Sequence, residues 1–382
     1  MSELFIELYS EEIPPKLQID AREKIKNFFE KSLEKKNIIF KSSKAFSTPK
    51  RLVFIFDGIP EKIEKKGKIL KGPKVGSPQV ALEGFINSNN LHKSDIYEED
   101  IENGKYYFAK SKSKNINVFN ELGPTISNVL QNYSWKKAMR WSDYDLNWGR
   151  PLKSIIALFD NKLINFDFFH LKSTNFTLID EMTEDKRVKV INYKSYLKLL
   201  NEKNIILDQH KRKEIIVNLI NKICKSRQFK IQVDEKLLEE VTNLVENPII
   251  ILGKFDKFFL KIPQEILVLT MQYHQKYFPL FDQNDILTNY FLIVTNIKDQ
   301  KGYIKKGNER VITARFTDAS FFWEKNKKQN LIKQVSKLKN LLFFSKLGSL
   351  YDKTQRLKKL GSLISDNLNL KKEKIEIAAS LC

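Results

Sequence analysis

Cysteine is nearly missing from this chain of 382 residues. The two present, Cys224 and Cys382, have neither ligand nor redox spacing, which excludes a disulfide framework, a zinc ribbon and a CxxC couple. Glycine (13) and proline (11) are sparse. No apolar run approaches the roughly 18 residues that a bilayer span requires, so no membrane association is expected. The amino terminus, MSELFIELYSEEIPP, carries Glu3, Glu7, Glu11 and Glu12 where a secretion leader would place basic residues before an apolar stretch. A cytoplasmic location is the expectation.

Signatures of catalysis are missing too. There is no GxxxxGK[ST] phosphate loop, GxGxxG, GxSxG elbow or HExxH. The four histidines, His92, His170, His210 and His274, are far apart, and none precedes an aspartate as in the metal dyad of phosphohydrolases. His274, in MQYHQKYF, reads as a packed side chain. KGPKVGSP resembles a phosphate loop but lacks the strand before and the helix after that would make one. No metal ligands and no catalytic residue are expected, and any reacting groups belong to another chain.

What the chain has is positive charge. Its formal net charge is +21 and its pI about 9.6, a balance that attracts polyanions and points to a nucleic-acid partner. Abundant Lys, Ile, Asn and Phe with little Gly and Pro also matches an AT-rich coding bias, so charge alone does not settle the partner.

Length suggests roughly two or three domains, and the apolar periodicity predicts an α+β fold. LFIEL reads as a strand. KLQIDAREKIKNFFEKSLEKKN reads as a helix with Leu17, Ala21, Ile25, Phe28 and Leu33 on its apolar face, and Glu11 and Glu12 are placed against its amino-terminal dipole. RLVFIF is a buried strand, and EKIEKKGKILKGPKVGSPQ a basic loop or hairpin. ALEGFINSNN and ELGPTISNVLQNYSWKKAM are helices, and KYYFAKSKS is a strand. In RWSDYDLNWGRPLKSIIALFD, Trp141, Tyr144 and Trp148 alternate with Arg140 and Arg150. Such interleaving suits stacking on bases and equally a hairpin packed on a helix. HKRKEIIVNLINKICKS is a helix with its basic residues on a solvated face. IIILGKF, KYFPLF and YFLIVTN are strands, and the carboxyl-terminal portion is helical, with Leu331, Val335, Leu338 and Leu342 in one stripe.

GNERVITARFTDASFFWEKNKK raises its own question. At helical spacing Ile312, Phe316, Ala319 and Trp323 form a stripe flanked by Val311 and Phe322, and Arg315 projects onto that apolar side. A guanidinium there needs a partner. Asp318, three residues on, supplies an ion pair; the sharper alternative is an anion presented by a partner to Arg310, Arg315, Lys325, Lys327 and Lys328.

Taken in order, ELFIELYSEEIPPK, AFSTPKRL, LKGPKVG, ALEGF, MRW with RPL, LVENPIIILGKFD, LKIPQEILVLTMQYHQKYFPL, KKGNERVITARFTDASFFWEKNKK and KLGSLYDKTQRL resemble the beta subunit of the heterotetrameric bacterial glycyl-tRNA synthetase. The resemblance runs from Leu4 to Leu357 and covers that family's amino-terminal half. It implies a non-catalytic, tRNA-binding subunit that supports ATP-dependent attachment of glycine to its tRNA. ATP and Mg are then expected on the alpha subunit within an alpha2beta2 assembly. It also implies an amino-terminal α+β domain over 1–165, a small inserted domain over 166–240, an α+β segment returning to the main body over 241–345, and the start of a truncated helical HD-like domain over 346–382. The candidates for tRNA or subunit contact are Arg51, Lys71, Lys74, Arg140, Arg150, Arg310 and Arg315. Two rivals are a stand-alone basic RNA-binding protein and a phosphohydrolase built on HD-like helices, the latter opposed by the missing His-Asp pair.

Overall fold

Nearly every residue of the strand Ser2–Ser10 (β1) is buried, because layers cover the sheet on both faces. Leu4, Ile6 and Leu8 enter one hydrophobic cluster and Phe5 another, the period-2 split of a pleated strand. The computed structural model describes residues 2–65, 69–101, 104–110, 113–180 and 185–382. They form an α+β chain with two units. The first comprises Met1–Ile223, Val233–Ile250 and Val294–Lys298; the second comprises Cys224–Gln232, Ile251–Ile293 and Asp299–Cys382. Among the described residues no helix is long and apolar enough to cross a membrane.

In the first unit the helix Pro15–Lys35 (α1) starts on a proline, whose missing N–H costs nothing in the first turn. Its buried apolar positions are Leu17, Ala21, Ile25, Phe29 and Leu33, each large side chain contributing about 1.5–3 kcal/mol by leaving water. Phe29, not the expected Phe28, continues the i, i+4 series; Phe28 is exposed. Glu11 is drawn away from the helix end by Lys153, at 2.8 Å. Strands Ser42–Thr48 (β2) and Arg51–Ile59 (β3) follow, β1 pairing antiparallel with β3 and β3 with β2.

The basic stretch expected to be a loop instead contains strands Lys62–Lys65 (β4) and Ile69–Lys74 (β5). Residues 66–68 between them lie outside the described residues. After the helix Gln79–Ser88 (α2) come Ile96–Ile101 (β6), Gly104–Lys110 (β7) and Lys114–Asn117 (β8). β5 and β6 flank β7, and β4 pairs with β8. Partners some forty residues downstream supply the backbone hydrogen bonds, which no local apolar period announces. The helix Val118–Asn132 (α3) packs Val118, Leu122, Ile126, Val129 and Leu130 into the core.

Leu152–Phe159 (β9) completes the main sheet on the other side of β1. Short strands Lys162–Leu163 (β10), Asp167–Phe168 (β11) and Leu171–Thr174 (β12) extend it into a seven-stranded sheet ordered β11-β12-β9-β1-β3-β2, with β10 beside β9. Phe176–Asp180 (β13) and Asp185–Lys189 (β14) form a hairpin, and residues 181–184 lie outside the described set. The helix Tyr193–Glu202 (α4) buries Tyr196 and Leu200 in the cluster that contains Phe5, Val53 and Ile156. Helices Gln209–Arg227 (α5) and Glu235–Thr242 (α6) follow. Arg212 of α5 is not on a solvated face as expected. It is fully buried, donating to the carbonyls of Ser47, Ile206, Leu207 and Thr242 at 2.7–3.1 Å, and burial lowers its pKa to about 10.

The second unit holds a three-stranded sheet, Ile249–Lys254 (β15), Leu287–Thr295 (β17) and Phe278–Phe281 (β16), with the helix Gln264–Leu269 (α7) before β16. A π-helical turn, Thr270–Gln275, continues α7, leaving Tyr273 and His274 exposed while Met271 is buried. The long helix Tyr303–Lys327 (α8) seals this core with Ile312 and Phe316. Beyond it the expected continuous helix is broken into Leu331–Gln334 (α9), a 3-10 segment, and strands Leu342–Phe344 (β18) and Gly348–Ser349 (β19). Leu331 and Leu342 are exposed, so the stripe has no apolar layer to hold it helical. Helices Leu350–Leu368 (α10) and Lys372–Leu381 (α11) close the chain, α10 starting with a Ser349–Asp352 capping box.

Candidate nucleic-acid interface

Arg51 departs from the expectation of a surface cation. Only 1% exposed, its guanidinium donates from Nη1 to Glu246 Oε1 and from Nη2 to the Leu178 carbonyl, both at 2.7 Å. Its Nε stands 3.3 Å from Glu7 Oε1, and its ring-facing side covers Tyr9 at 4.8 Å. Glu7 is fully buried and accepts from Tyr196 Oη at 2.6 Å and Thr177 Oγ1 at 2.9 Å. Burial raises the Glu7 carboxyl, with Arg51 pulling in the opposite direction. Burial also works against the Arg51 cation, but Glu246 leads the groups that outweigh it and raise its pKa. The sequence offered no sign of this network, because its members lie on β1, β3, β13, α4 and the turn after α6.

The other candidates are dispersed. Lys71 lies over the Tyr106 ring at 3.9 Å. Lys74, on the same strand, fills the space where a Cβ on Gly104 would sit, a glycine with φ +118°. Arg140 donates to the Tyr144 carbonyl at 2.8 Å and pairs with Asp145; Arg150 donates to the Gly149 carbonyl at 2.7 Å. The aromatics between them divide. Trp148 is buried against Trp135 at 5.1 Å, the packing alternative. Tyr144 is exposed and stacks on His170 at 3.6 Å, and burial lowers the His170 pKa.

Arg310 and Arg315 remain, both exposed on α8. The ion pair expected between Arg315 and Asp318 does not form: both are exposed, and an exposed (i, i+3) pair is worth only about 0.2–0.5 kcal/mol, too little to hold them together. The apolar stripe also ends early, with Phe322 57% exposed. Counting 100° per residue, the face opposite Ile312 and Phe316 carries Tyr303, Lys306, Arg310, Phe321, Lys325 and Lys328, all exposed. The helix has 25 residues, so this row extends over about 37 Å. Among the described residues Lys306, Arg310, Arg315 and Lys328 form no ion pair, and Arg310 borders an open cleft with Lys254 and Lys257.

Lysines lying over aromatic rings recur across this unit. Lys261 lies over Phe258 at 4.7 Å, Lys276 over Tyr273 at 5.4 Å, Lys325 over Phe321 at 5.8 Å and Lys353 over Phe343 at 4.7 Å. Each of those rings is at least 40% exposed. Ammonium groups beside accessible π-faces can hold a phosphate and stack a base together.

The described residues thus present exposed cations and aromatic rings on an α+β chain. A family model described as glycyl-tRNA synthetase beta subunit matches residues 4–382. A glycine-tRNA ligase beta subunit from Rickettsia felis is 36% identical over 386 residues, covering all of this chain and 57% of that relative. The one from Rickettsia prowazekii is 36% identical over 384 residues with the same coverage. The chain belongs to the glycyl-tRNA synthetase beta subunit family, and it spans 57% of the length of these relatives.

Proposed function

We propose that this chain is a non-catalytic, tRNA-gripping component of a glycine-tRNA ligase. In this reading a separate alpha subunit handles glycine, ATP and Mg and joins glycine to its tRNA, within an alpha2beta2 assembly in the cytoplasm. The observation that carries it is the exposed surface of α8, where Arg310 on the outer face stands with lysines and aromatic rings and Arg315 is exposed on the flank of the buried stripe. Cations there would contact phosphates and position the tRNA without reading its sequence. The segment 346–382 is read as the start of the helical HD-like domain that the family resemblance implies.

The test is the rate of glycine attachment to glycine tRNA by the alpha subunit, with and without this chain. A rise on addition is expected, and Arg310→Ala with Arg315→Ala should reduce it. No rise, while a beta subunit of the relatives' full length does raise the rate, would refute a contribution from this portion. Tight RNA binding with no response to the alpha subunit would favour the stand-alone RNA-binding reading.

A further inference from the structure

Residues of three segments singled out in the sequence, SEEIPPK, AFSTPKRL and LVENPIIILGKFD, come together in the first unit. Glu12, the Pro49–Lys50 turn and Glu246 line one cleft of about 620 Å³ in the first unit, within the size range of small-ligand sites. Residues this far apart in the chain converge only through the fold.

The floor of the cleft is set from behind. The Glu246 carboxylate is held by Nη1 of the buried Arg51 at 2.7 Å, so its direction is fixed before any ligand arrives. Asn296 lies beside it, its Oδ1 accepting the backbone N–H groups of Glu246 at 2.7 Å and Asn247 at 3.1 Å. With its oxygen committed, the amide presents its NH2. An acceptor and a donor are therefore both held at the lining of one cleft. Ile205 and Ile249 supply apolar wall, and Lys50, Lys203 and Lys298 supply positive charge.

This is a complement to one nucleotide. A carboxylate accepts two adjacent N–H donors from the Watson–Crick edge of guanine, N1–H and N2–H, while the neighbouring NH2 can donate to O6. Adenine presents a single donor there beside the N1 lone pair, which a carboxylate repels. The apolar wall suits a base face, and the amines suit its phosphate. We propose that the cleft bounded by Lys50, Glu246 and Asn296 binds one unpaired guanosine nucleotide, its base edge on Glu246 and Asn296 and its phosphate among the lysines. The nucleotide chemistry stands on the cleft alone; that the guanosine belongs to an RNA rests on the function proposed above.

The experiment titrates the full chain with GMP and with AMP by calorimetry, then repeats the GMP titration in the presence of glycine tRNA. GMP should bind at least about tenfold more tightly than AMP, since an unpaired buried edge costs on that scale. Lys203→Glu and Lys298→Glu, both at exposed positions, should weaken GMP and AMP alike by several-fold, Lys298→Glu with the melting temperature unchanged. Glu246→Gln should erase the preference for guanine. Equal affinities, no GMP binding at millimolar concentration, or lysine variants that bind normally would each overturn the proposal. So would displacement of GMP by AMP and by an acidic peptide at equal concentration, which would mark a nonselective anion site. Competition by tRNA identifies an RNA nucleotide as the source; lack of competition identifies a free nucleotide. Arg310→Ala should reduce tRNA affinity and leave GMP binding intact, so that failure of the α8 interface and failure of the cleft are read separately.

Discussion

Arg51 and Glu246 stand 195 positions apart in the chain and meet through a 2.7 Å charge-assisted hydrogen bond. Glu7, at 3.3 Å on the other side of the guanidinium, places Arg51 between two acidic side chains, one fully buried and one bordering the cleft. The pair ties the turn after α6 to the centre of the main sheet. That tie gives the cleft its fixed acceptor.

The buried Glu7 makes stability depend on pH. Burial raises its carboxyl above the ordinary value of 4.5, so the folded chain keeps that proton to higher pH than the unfolded one. Its favourable contribution is complete below about pH 4 and is lost as pH rises through the raised folded value. Glu7→Gln is neutral throughout and still offers an oxygen to Tyr196 and Thr177. Its stability relative to the parent, followed by urea denaturation, should rise between pH 4 and pH 7. A relative fall over that interval would show that Glu7 is ionised in a favourable pair with Arg51.

Arg212→Met should destabilise the first unit by about 3 kcal/mol or more, because carbonyls of Ser47, Ile206, Leu207 and Thr242 lose a shared donor inside the protein. Chemical denaturation measures it. A loss below about 1 kcal/mol would mean that water reaches these carbonyls and that Arg212 is not the joint it resembles.

Gly253→Ala should destabilise the second unit by about 1–3 kcal/mol through overpacking. A Cβ there would lie 2.6 Å from the Phe291 ring, which is itself fully buried and in contact with Tyr277 and Phe255. Thermal melting reads the effect, and an unchanged transition would show that the Phe291 ring moves aside freely.

Much of this architecture was written in short-range pattern. The strand around Phe5, the helix through Ile25 and the strands flanking Phe291 follow from apolar period alone, as do the α+β class and the face of α3. What was hidden depended on partners distant in the chain. β5 is a strand because β7 pairs with it, Arg212 is buried because four separate carbonyls converge on it, and Arg51 has the same residue type as Arg310 with the opposite environment. Arg315 shows the reverse error. Its spacing placed it on an apolar stripe, but the core beneath α8 ends at Phe316, so Phe321, Phe322 and Arg315 alike face water. Charge type was legible in the sequence; burial of charge was not.

Removing exposed arginines from α8 should leave the fold alone. Arg310→Ala and Arg315→Ala break no ion pair among the described residues, and each should change stability by less than about 0.5 kcal/mol. A larger loss by denaturation would assign these side chains a structural role and take them out of the interface.

The salt dependence of glycine tRNA binding tests the central claim most directly. For the parent chain, log affinity should fall linearly with log salt. In the Arg310→Ala, Arg315→Ala double variant the slope should shrink by about 0.7 to 0.9 for each phosphate that is no longer neutralised. A parent slope near zero, or a double variant with the parent's affinity and slope, would contradict the account of α8 as the surface that holds RNA.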